Sequence, residues 1–188
     1  MILTARKVLE MREEHGMIHN LADRELENPE GVGLEVRLGE AFELSSDGFL
    51  HRDTRDTPDS DKVLEEGSGD TLVLEPGDYY LIKTRETVEV PSDAVEVGGT
   101  EAHLMPDVYP RSTLQRSGLY FKGTNTNPGY EGPLIFGLKN VSNQTFEIQE
   151  GARVAEIVFK QAIGGLVRDY EGQWQGGRVS TDEEEEQI

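Results

Sequence analysis

The sequence predicts an all-β protein, built as a distorted barrel or jelly roll with a short N-terminal helix and an extended C-terminal arm. From Val32 onward, short runs of alternating apolar and polar residues are separated by Gly, Pro and Asp, a pattern typical of sandwiches and barrels. Helical spacing of apolar residues is confined to the N-terminal segment, and the chain after Gly164 has neither pattern. A length of 188 residues fits one domain. We therefore expect a barrel domain over 1–163 and a Gly/Gln-rich arm with an acidic tail over 164–188.

The N-terminal segment predicts one helix and one further helical turn. Thr4 can cap a helix that has apolar residues on one side and charged residues on the other, and Gly16 follows its last residue, His15. The second turn, over 21–26, ends before Pro29, because the residue preceding a proline is disfavoured in helical geometry.

Eleven segments after the helices have the composition of strands. They are 34–38, 41–44, 71–74, 79–83, 87–90, 94–97, 101–108, 119–122, 133–139, 145–148 and 153–159. The stretch 51–70 is polar and acidic, so we expect a long surface excursion there. The run of acidic residues over 182–186 is expected to be a solvated end, while the only Trp, Trp174, either docks or remains exposed.

The composition excludes several classes of function. The formal net charge is −19, from 37 acidic and 18 basic residues, which argues against nucleic acid as a partner because phosphate contacts need concentrated Lys and Arg. The acidity is spread along the chain, which favours adaptation to high salt over an ordinary acidic surface. Cysteine is absent, so disulfides and thiolate metal sites are excluded.

The sequence also predicts where the protein resides. No apolar run approaches the ~20 residues that span a bilayer, and the first residues lack the apolar core of a signal peptide. We therefore expect a cytoplasmic protein without a membrane partner, or a virion component if the chain is viral.

Seven segments, in order along the chain, resemble those of the dCTP deaminase/dUTPase superfamily, and the similarity is greatest to the dCTP deaminase-like proteins. They are Met-Ile-Leu-Thr at 1–4, Gly-Leu-Glu-Val-Arg-Leu-Gly at 33–39, Pro-Gly-Asp-Tyr-Tyr-Leu at 76–81, Val-Pro-Ser-Asp at 90–93, Arg-Ser-Thr-Leu-Gln-Arg-Ser-Gly-Leu at 111–119, Gly-Ala-Arg-Val-Ala-Glu-Ile-Val-Phe at 151–159, and the Gly/Gln-rich segment 170–177. The resemblance implies a homotrimer of distorted β-barrels with nucleotide sites between subunits and C-terminal arms that reach across neighbours.

The resemblance also implies roles for particular residues. Arg111, Ser112 and Arg116 would bind phosphates, since guanidinium groups and hydroxyls match phosphate oxygens. The alternative is that the two arginines pair with carboxylates of this acidic chain. Glu35 would hold Mg²⁺ together with phosphate oxygens, or orient a neighbouring Arg, or be merely solvated. The implied nucleotide-binding residues are Tyr130, in a hairpin over 123–130, and Trp174 and Gln175, in the arm.

Two positions depart from the family's catalytic pattern. The hairpin is about two residues shorter than in the family, and Asn127 stands where the family has Asp. An amide cannot act as a general base. Gly137 stands where the deaminases have a Glu that carries protons. Asp107 or Glu131 could substitute, while zinc chemistry lacks its Cys ligands.

These departures predict a catalytically impaired or inert protein that acts as a nucleotide-binding module or a structural module. The nucleotide would be dCTP, dUTP or dTTP, with Mg²⁺ if a nucleotide is bound, and a larger assembly such as a virus particle is a further interpretation. The alternative is an active enzyme that deaminates dCTP to dUTP or hydrolyses dUTP to dUMP and pyrophosphate. The sequence leaves open which of these nucleotides is bound.

Overall fold

The computed structural model describes residues 1–123 and 125–187. Thr124, within the predicted hairpin, and Ile188, the last residue of the predicted arm, lie outside this range. The N-terminal helix is confirmed as α1, Ala5–His15, in which the Thr4 side chain accepts a hydrogen bond from the Lys7 backbone N–H at 3.3 Å. The predicted second turn is α2, Asp23–Glu27. Between them lies a short strand, β1, Met17–His19, that the sequence did not indicate.

The remaining elements are strands with two short helical segments. The strands are β1 Met17–His19, β2 Leu34–Leu44, β3 Phe49–Leu50, β4 Thr54–Asp56, β5 Ser60–Leu64, β6 Thr71–Leu74, β7 Tyr79–Glu89, β8 Val95–Val97, β9 Thr100–Pro110, β10 Leu119–Lys122, β11 Glu131–Asn140, β12 Phe146–Gln149, β13 Arg153–Ala162 and β14 Glu185–Glu186. The helical segments are α3, Ser112–Arg116, and a 3₁₀ turn, Gln175–Gly177. The all-β prediction is confirmed.

One curled, antiparallel sheet forms the body of the protein. Its strand order is β10-β11-β7-β2-β13-β9-β8, with β1 added to β7 and β5 added to β2. Strand β12 pairs with β6, and β14, β4 and β3 form a third small sheet. The arm after β13 thus contributes one strand, β14, to a small sheet with β3 and β4, which precede residue 163. The division at residue 163 stays a prediction.

In two places, two neighbouring segments that the sequence predicts as separate strands belong to one continuous strand. Segments 34–38 and 41–44 form β2, where a register shift between Leu38 and Glu40 accommodates the break in alternation. A β-bulge of this kind adds one residue while the strand continues. Segments 79–83 and 87–90 likewise merge into β7, whose inward face includes the buried polar residues Thr84 and Glu86. The sequence pattern predicts a break there, because alternation of apolar and polar residues does not identify buried polar residues as part of a strand.

The core lies within the curl of the sheet. Its fully buried side chains include Leu34, Leu38, Ile82, Leu138 and Phe159, which come from β2, β7, β11 and β13. Truncating such a side chain to Ala typically costs ~2–5 kcal/mol. These strands thus fix the position of the neighbouring hairpin and arm.

Within residues 1–123 and 125–187, no helix has the length and apolar character needed to cross a membrane.

Candidate functional site

A cavity of about 560 Å³ lies between the hairpin that precedes β11, the start of β7 and the C-terminal arm. Three groups of side chains line it: apolar residues of the strands, aromatic residues and a few polar residues. The aromatic and polar ones include Tyr79, Asn125, Thr126, Asn127, Tyr130, Tyr170, Trp174 and Arg178. The cavity therefore combines an apolar wall with amide, hydroxyl and guanidinium groups, as small-molecule sites commonly do.

Backbone hydrogen bonds fix the hairpin to the end of β7. The Gly129 N–H donates to the Val90 carbonyl and the Val90 N–H donates to the Tyr130 carbonyl, both at 2.9 Å. The Tyr130 N–H donates to the Asn127 carbonyl at 3.2 Å, which closes the turn. This arrangement holds Asn127 at the cavity.

The phenol of Tyr130 is buried and already bonded. Its hydroxyl donates to the Pro133 carbonyl at 2.7 Å, and its ring centroid lies 5.8 Å from that of Tyr170. Burial raises the pKa of Tyr130 to about 12. Tyr130 therefore lines the cavity as a neutral aromatic surface.

Tyr79 occupies the space that a side chain at position 137 would need. A β-carbon at residue 137 would overlap the Tyr79 Oη atom. Burial raises the pKa of Tyr79 above its ordinary value. The group next to Gly137 is thus a phenol that stays protonated at neutral pH, where the resemblance implies a carboxylate in deaminases.

The C-terminal arm packs against the hairpin of its own chain. The Gln175 Nε2 atom donates to the Gly129 carbonyl at 2.6 Å, and the Glu131 N–H donates to Gln175 Oε1 at 2.8 Å. Gly132 and Gly177 approach so closely that a β-carbon on Gly132 would lie 2.7 Å from the Gly177 nitrogen. Gln175 therefore binds hairpin backbone in this structure.

Trp174, in the same arm, packs at the cavity and against Arg55. Its ring lines the cavity, and the Arg55 guanidinium lies 5.1 Å from the ring centroid, within the range of cation–π attraction. The sequence left open whether Trp174 docks or remains exposed, and in the structure it is docked.

The acidic run is exposed at four of its five residues, as a solvated end requires, but Glu185 is partly buried and the end of the run is paired. Its residues Glu185 and Glu186 form strand β14 against β4, and Arg178 contacts Glu185 and Asp182. Local charge repulsion predicted a solvated end, but β4, which is distant along the chain, contributes the backbone pairing of Glu185 and Glu186.

The predicted phosphate-binding residues lie elsewhere. Arg111 precedes α3, its Nε atom lies 2.9 Å from Glu35 Oε1, and Ser112 and Arg116 are exposed on α3. The described residues around the cavity do not include Arg111, Ser112 or Arg116. Within one subunit, the structure therefore does not bring the phosphate-binding candidates together with Asn127, Tyr130 and Trp174.

Glu35 is surrounded by three arginines. Besides Arg111, its carboxylate accepts hydrogen bonds from Arg24, at 2.8 Å, and from Arg153. With both oxygens engaged by guanidinium groups, Glu35 does not fit direct coordination of Mg²⁺ in this arrangement. Of the roles considered for it, orientation of a neighbouring arginine matches the observed contacts.

The candidate substitutes for the proton carrier differ in their surroundings. Asp107 is paired with Lys160 and accepts a hydrogen bond from the Tyr109 hydroxyl at 3.1 Å. Glu131 is exposed, and its backbone N–H is the group bound by Gln175. Neither side chain is among the described residues that line the cavity.

Sequence reasoning missed three residues around the cavity: Tyr79, Arg178 and Arg55. The glycine at position 137 was the available signal for Tyr79, because a missing side chain between bulky strands leaves a space that another residue fills. For Arg55 no local pattern existed, since its partner Glu185 is distant along the chain. The signal for Arg178 was its spacing of four residues from Asp182.

The comparisons with known proteins agree with the fold. The profile of the dCTP deaminase-like family matches residues 2–162. A dCTP deaminase of Thermococcus kodakarensis is 30% identical over 117 residues, which cover 62% of this chain and 69% of the relative. A probable deoxyuridine 5'-triphosphate nucleotidohydrolase of Aeropyrum pernix is 31% identical over 145 residues, covering 77% of this chain and 83% of the relative.

A solved structure shows the same fold. The 2'-deoxycytidine 5'-triphosphate deaminase of Agrobacterium tumefaciens superimposes with a TM-score of 0.62 at 16% identity. The alignment covers 86% of this chain and 48% of that deaminase, so this chain spans about half of its length. The fold and the sequence matches together define the class, and the chain belongs to the dCTP deaminase-like family.

Proposed function

We propose that this protein is a homotrimer that binds a pyrimidine deoxynucleotide and does not deaminate it. The observation that carries this proposal is the position of Tyr79, whose hydroxyl takes the space beside Gly137 where a deaminase would need a carboxylate. A phenol with a raised pKa remains protonated at neutral pH, so it can donate a hydrogen bond and cannot act as the base for an attacking water.

The chemistry of the cavity supports a nucleobase as the bound group. Its volume of about 560 Å³ lies in the usual range for small-molecule sites, ~300–1,000 Å³. The rings of Tyr79, Tyr130 and Trp174 offer stacking surfaces, and Asn125 and Asn127 offer amide donors and acceptors. Such groups can match the hydrogen-bonding edge of a pyrimidine without ionising.

A trimer would bring the phosphate-binding residues to this cavity. Ser112 and Arg116 are exposed on α3, and the polyphosphate of a bound nucleotide needs cationic donors. A neighbouring subunit could supply them at the mouth of the cavity. Under this proposal Mg²⁺, when present, is held by phosphate oxygens of the nucleotide, since the Glu35 carboxylate is engaged by arginines.

The competing function is turnover of dCTP or dUTP, and the names of the relatives favour it, since they describe a dCTP deaminase and a probable dUTP hydrolase. For hydrolysis of dUTP, Asn127 leaves the hairpin without the family's carboxylate. Loss of a general base typically costs ~10²–10⁴-fold in rate. The proposal does not extend to a larger assembly such as a virus particle, because these relatives are named for nucleotide reactions.

Thermal unfolding with dCTP, dUTP and dTTP tests the binding proposal, because a ligand that binds only the folded state raises the melting temperature. We expect at least one of the three to raise it, and Arg116→Gln to reduce the shift. Arg6→Gln, an exposed arginine of α1, is the matched control and should retain it. Light scattering should give the mass of three chains. A melting temperature that no nucleotide changes would point to a structural role instead.

A further inference from the structure

Two arginines beside the cavity bind the chain's own acidic tail. Arg178 lines the cavity, its Nη1 atom lies 2.5 Å from Glu185 Oε1, and its Nη2 atom lies 3.2 Å from Asp182 Oδ2. The Glu185 carboxylate also contacts a second arginine, since its Oε2 atom lies 3.7 Å from Arg55 Nη2. Glu185 thus lies between two guanidinium groups, one of which faces the cavity.

The tail is held to this place by its backbone as well. Strand β14 pairs with β4, with Glu185 opposite Arg55, and the Gln187 N–H donates to the Asp53 carbonyl at 2.9 Å. Before the tail turns toward β4, the Thr181 hydroxyl donates to Asp56 Oδ1 at 2.9 Å. The side chain of Glu185 is only 18% exposed, whereas that of Asp182 is 96% exposed. The tail therefore inserts one particular carboxylate.

The fit of that carboxylate is incomplete. Arg55 Nε and Glu185 Oε2 are both buried, and neither has a hydrogen-bond partner among the described residues. A buried polar group without a partner costs roughly 1–3 kcal/mol. A ligand with more oxygens than one carboxylate could also accept a hydrogen bond from Arg55 Nε, and guanidinium groups match the geometry of phosphate oxygens.

We propose that Arg55 and Arg178 form an anion-binding site beside the cavity, that the tail occupies it through Glu185, and that a polyphosphate group displaces the tail. The tail is then a built-in competitor of anionic ligands. The inference rests on the proposed function only in naming a nucleotide as the natural source of that polyphosphate.

The binding energetics follow from this competition. If only the molecules with a released tail bind an anion, the observed dissociation constant equals the intrinsic one divided by the released fraction. Neutralising the carboxylates that contact Arg178 should raise that fraction and tighten binding. Neutralising other carboxylates of the same run should change only the net charge.

Calorimetry with inorganic tripolyphosphate on the full chain at low ionic strength tests this, with two variants that change the charge equally. Asp182→Asn/Glu185→Gln removes the carboxylates that contact Arg178, while Glu183→Gln/Glu184→Gln alters two exposed residues of the same run. We expect the first variant to bind tripolyphosphate roughly threefold or more tightly than the unchanged protein, and the second to bind as the unchanged protein does. Arg178→Gln should weaken binding in every background.

Hydrogen exchange of the unchanged protein gives an independent measurement. Added tripolyphosphate should accelerate exchange of the backbone amides over 185–187. Equal effects of the two double variants, or tail exchange that tripolyphosphate leaves unchanged, would overturn the inference. A nucleotide that stabilises the protein alongside such a result would leave the proposed function standing. Tail release by tripolyphosphate with no stabilisation by any nucleotide would contradict the proposed function and leave the anion site standing.

Discussion

The hydroxyl of Tyr79 and the side-chain position of residue 137 compete for one space, because a β-carbon on Gly137 would overlap Tyr79 Oη. The two residues lie on neighbouring strands, β7 and β11, whose register pairs Gly137 with Leu81 and Tyr79 with Lys139. The loss of a side chain at one position and the presence of a ring at the other are thus parts of one packing arrangement. Restoring a carboxylate at residue 137 would require the ring of Tyr79 to move.

This packing predicts coupled effects on stability. Gly137→Ala should destabilise the protein by about 1 kcal/mol, because the added methyl group forces the partly exposed ring of Tyr79 to shift. The cost should fall by half or more in a Tyr79→Ala background, since contacting residues show non-additive effects. Urea unfolding of the single and double variants measures this. Gly123→Ala is the control, since its β-carbon would make ordinary contacts, the nearest at 3.5 Å. Equal costs of Gly137→Ala in both backgrounds would contradict the packing.

The ion cluster at Glu35 predicts a second effect on stability. Glu35→Gln removes the charge that three arginines share in a largely buried place, and we expect a loss of roughly 1–3 kcal/mol in the free energy of unfolding. The matched control is Glu30→Gln, whose carboxylate is 90% exposed and lies 3.6 Å from Arg24. An exposed pair of this kind contributes ~0–1 kcal/mol. If the two substitutions cost the same, the cluster does not stabilise the fold.

A part of the site could be predicted from the sequence because the relevant residues lie in short, recognisable segments. The hairpin and arm segments indicate three residues of interest, and all three line one cavity: Asn127, Tyr130 and Trp174. The contact between Arg55 and Glu185 beside this cavity could not be predicted from the sequence. Arg55 meets Glu185 across 130 positions of the chain, and alternation or charge patterns report only neighbours within one element.

The fold, like the site, could be predicted only in part from the sequence. Short alternating runs correctly indicated most of the strands, and Thr4 and Gly16 correctly indicated the bounds of α1. The stretch 51–70 lies largely at the surface, as expected, and it also contains the strands β4 and β5, which the sequence did not indicate. Its polar residues form strands because the tail and β2 supply backbone partners, which no local pattern in that stretch reveals.

Glu40 predicts a pH dependence of stability. Partial burial raises its pKa, but hydrogen bonds from Lys62 and Lys83 outweigh this and hold the pKa below the usual 4.5. A carboxyl whose pKa is lower in the folded state stabilises above its unfolded pKa, and the contribution is lost as the pH falls through the folded value. The stability difference between the unchanged protein and Glu40→Gln should therefore be largest at neutral pH and shrink below about pH 4.5.

Urea unfolding between pH 7 and pH 3 measures that difference. Glu43→Gln, an exposed residue of the same strand, should show a small and nearly constant difference over the range. A difference for Glu40→Gln that stays constant from neutral to acidic pH would contradict the assignment.

The charge of the chain predicts a dependence on salt. With a formal net charge of −19, self-repulsion opposes folding, and raising the ionic strength shortens the screening length from ~10 Å at 0.1 M to ~3 Å at 1 M. We expect the melting temperature to rise with potassium chloride up to at least about 1 M. Chloride is preferred to sulfate, which stabilises proteins by exclusion from their surface. A melting temperature that is flat or falls with potassium chloride would contradict a high-salt adaptation.

The central claim is that the protein binds a pyrimidine deoxynucleotide without converting it. The most direct measurement incubates the purified protein with dCTP or dUTP and Mg²⁺, under conditions where thermal unfolding shows binding, and follows dUTP, dUMP and pyrophosphate by chromatography. We expect the nucleotide to be recovered unchanged. Formation of dUTP from dCTP, or of dUMP and pyrophosphate from dUTP, at a rate that depends on protein concentration would contradict the account.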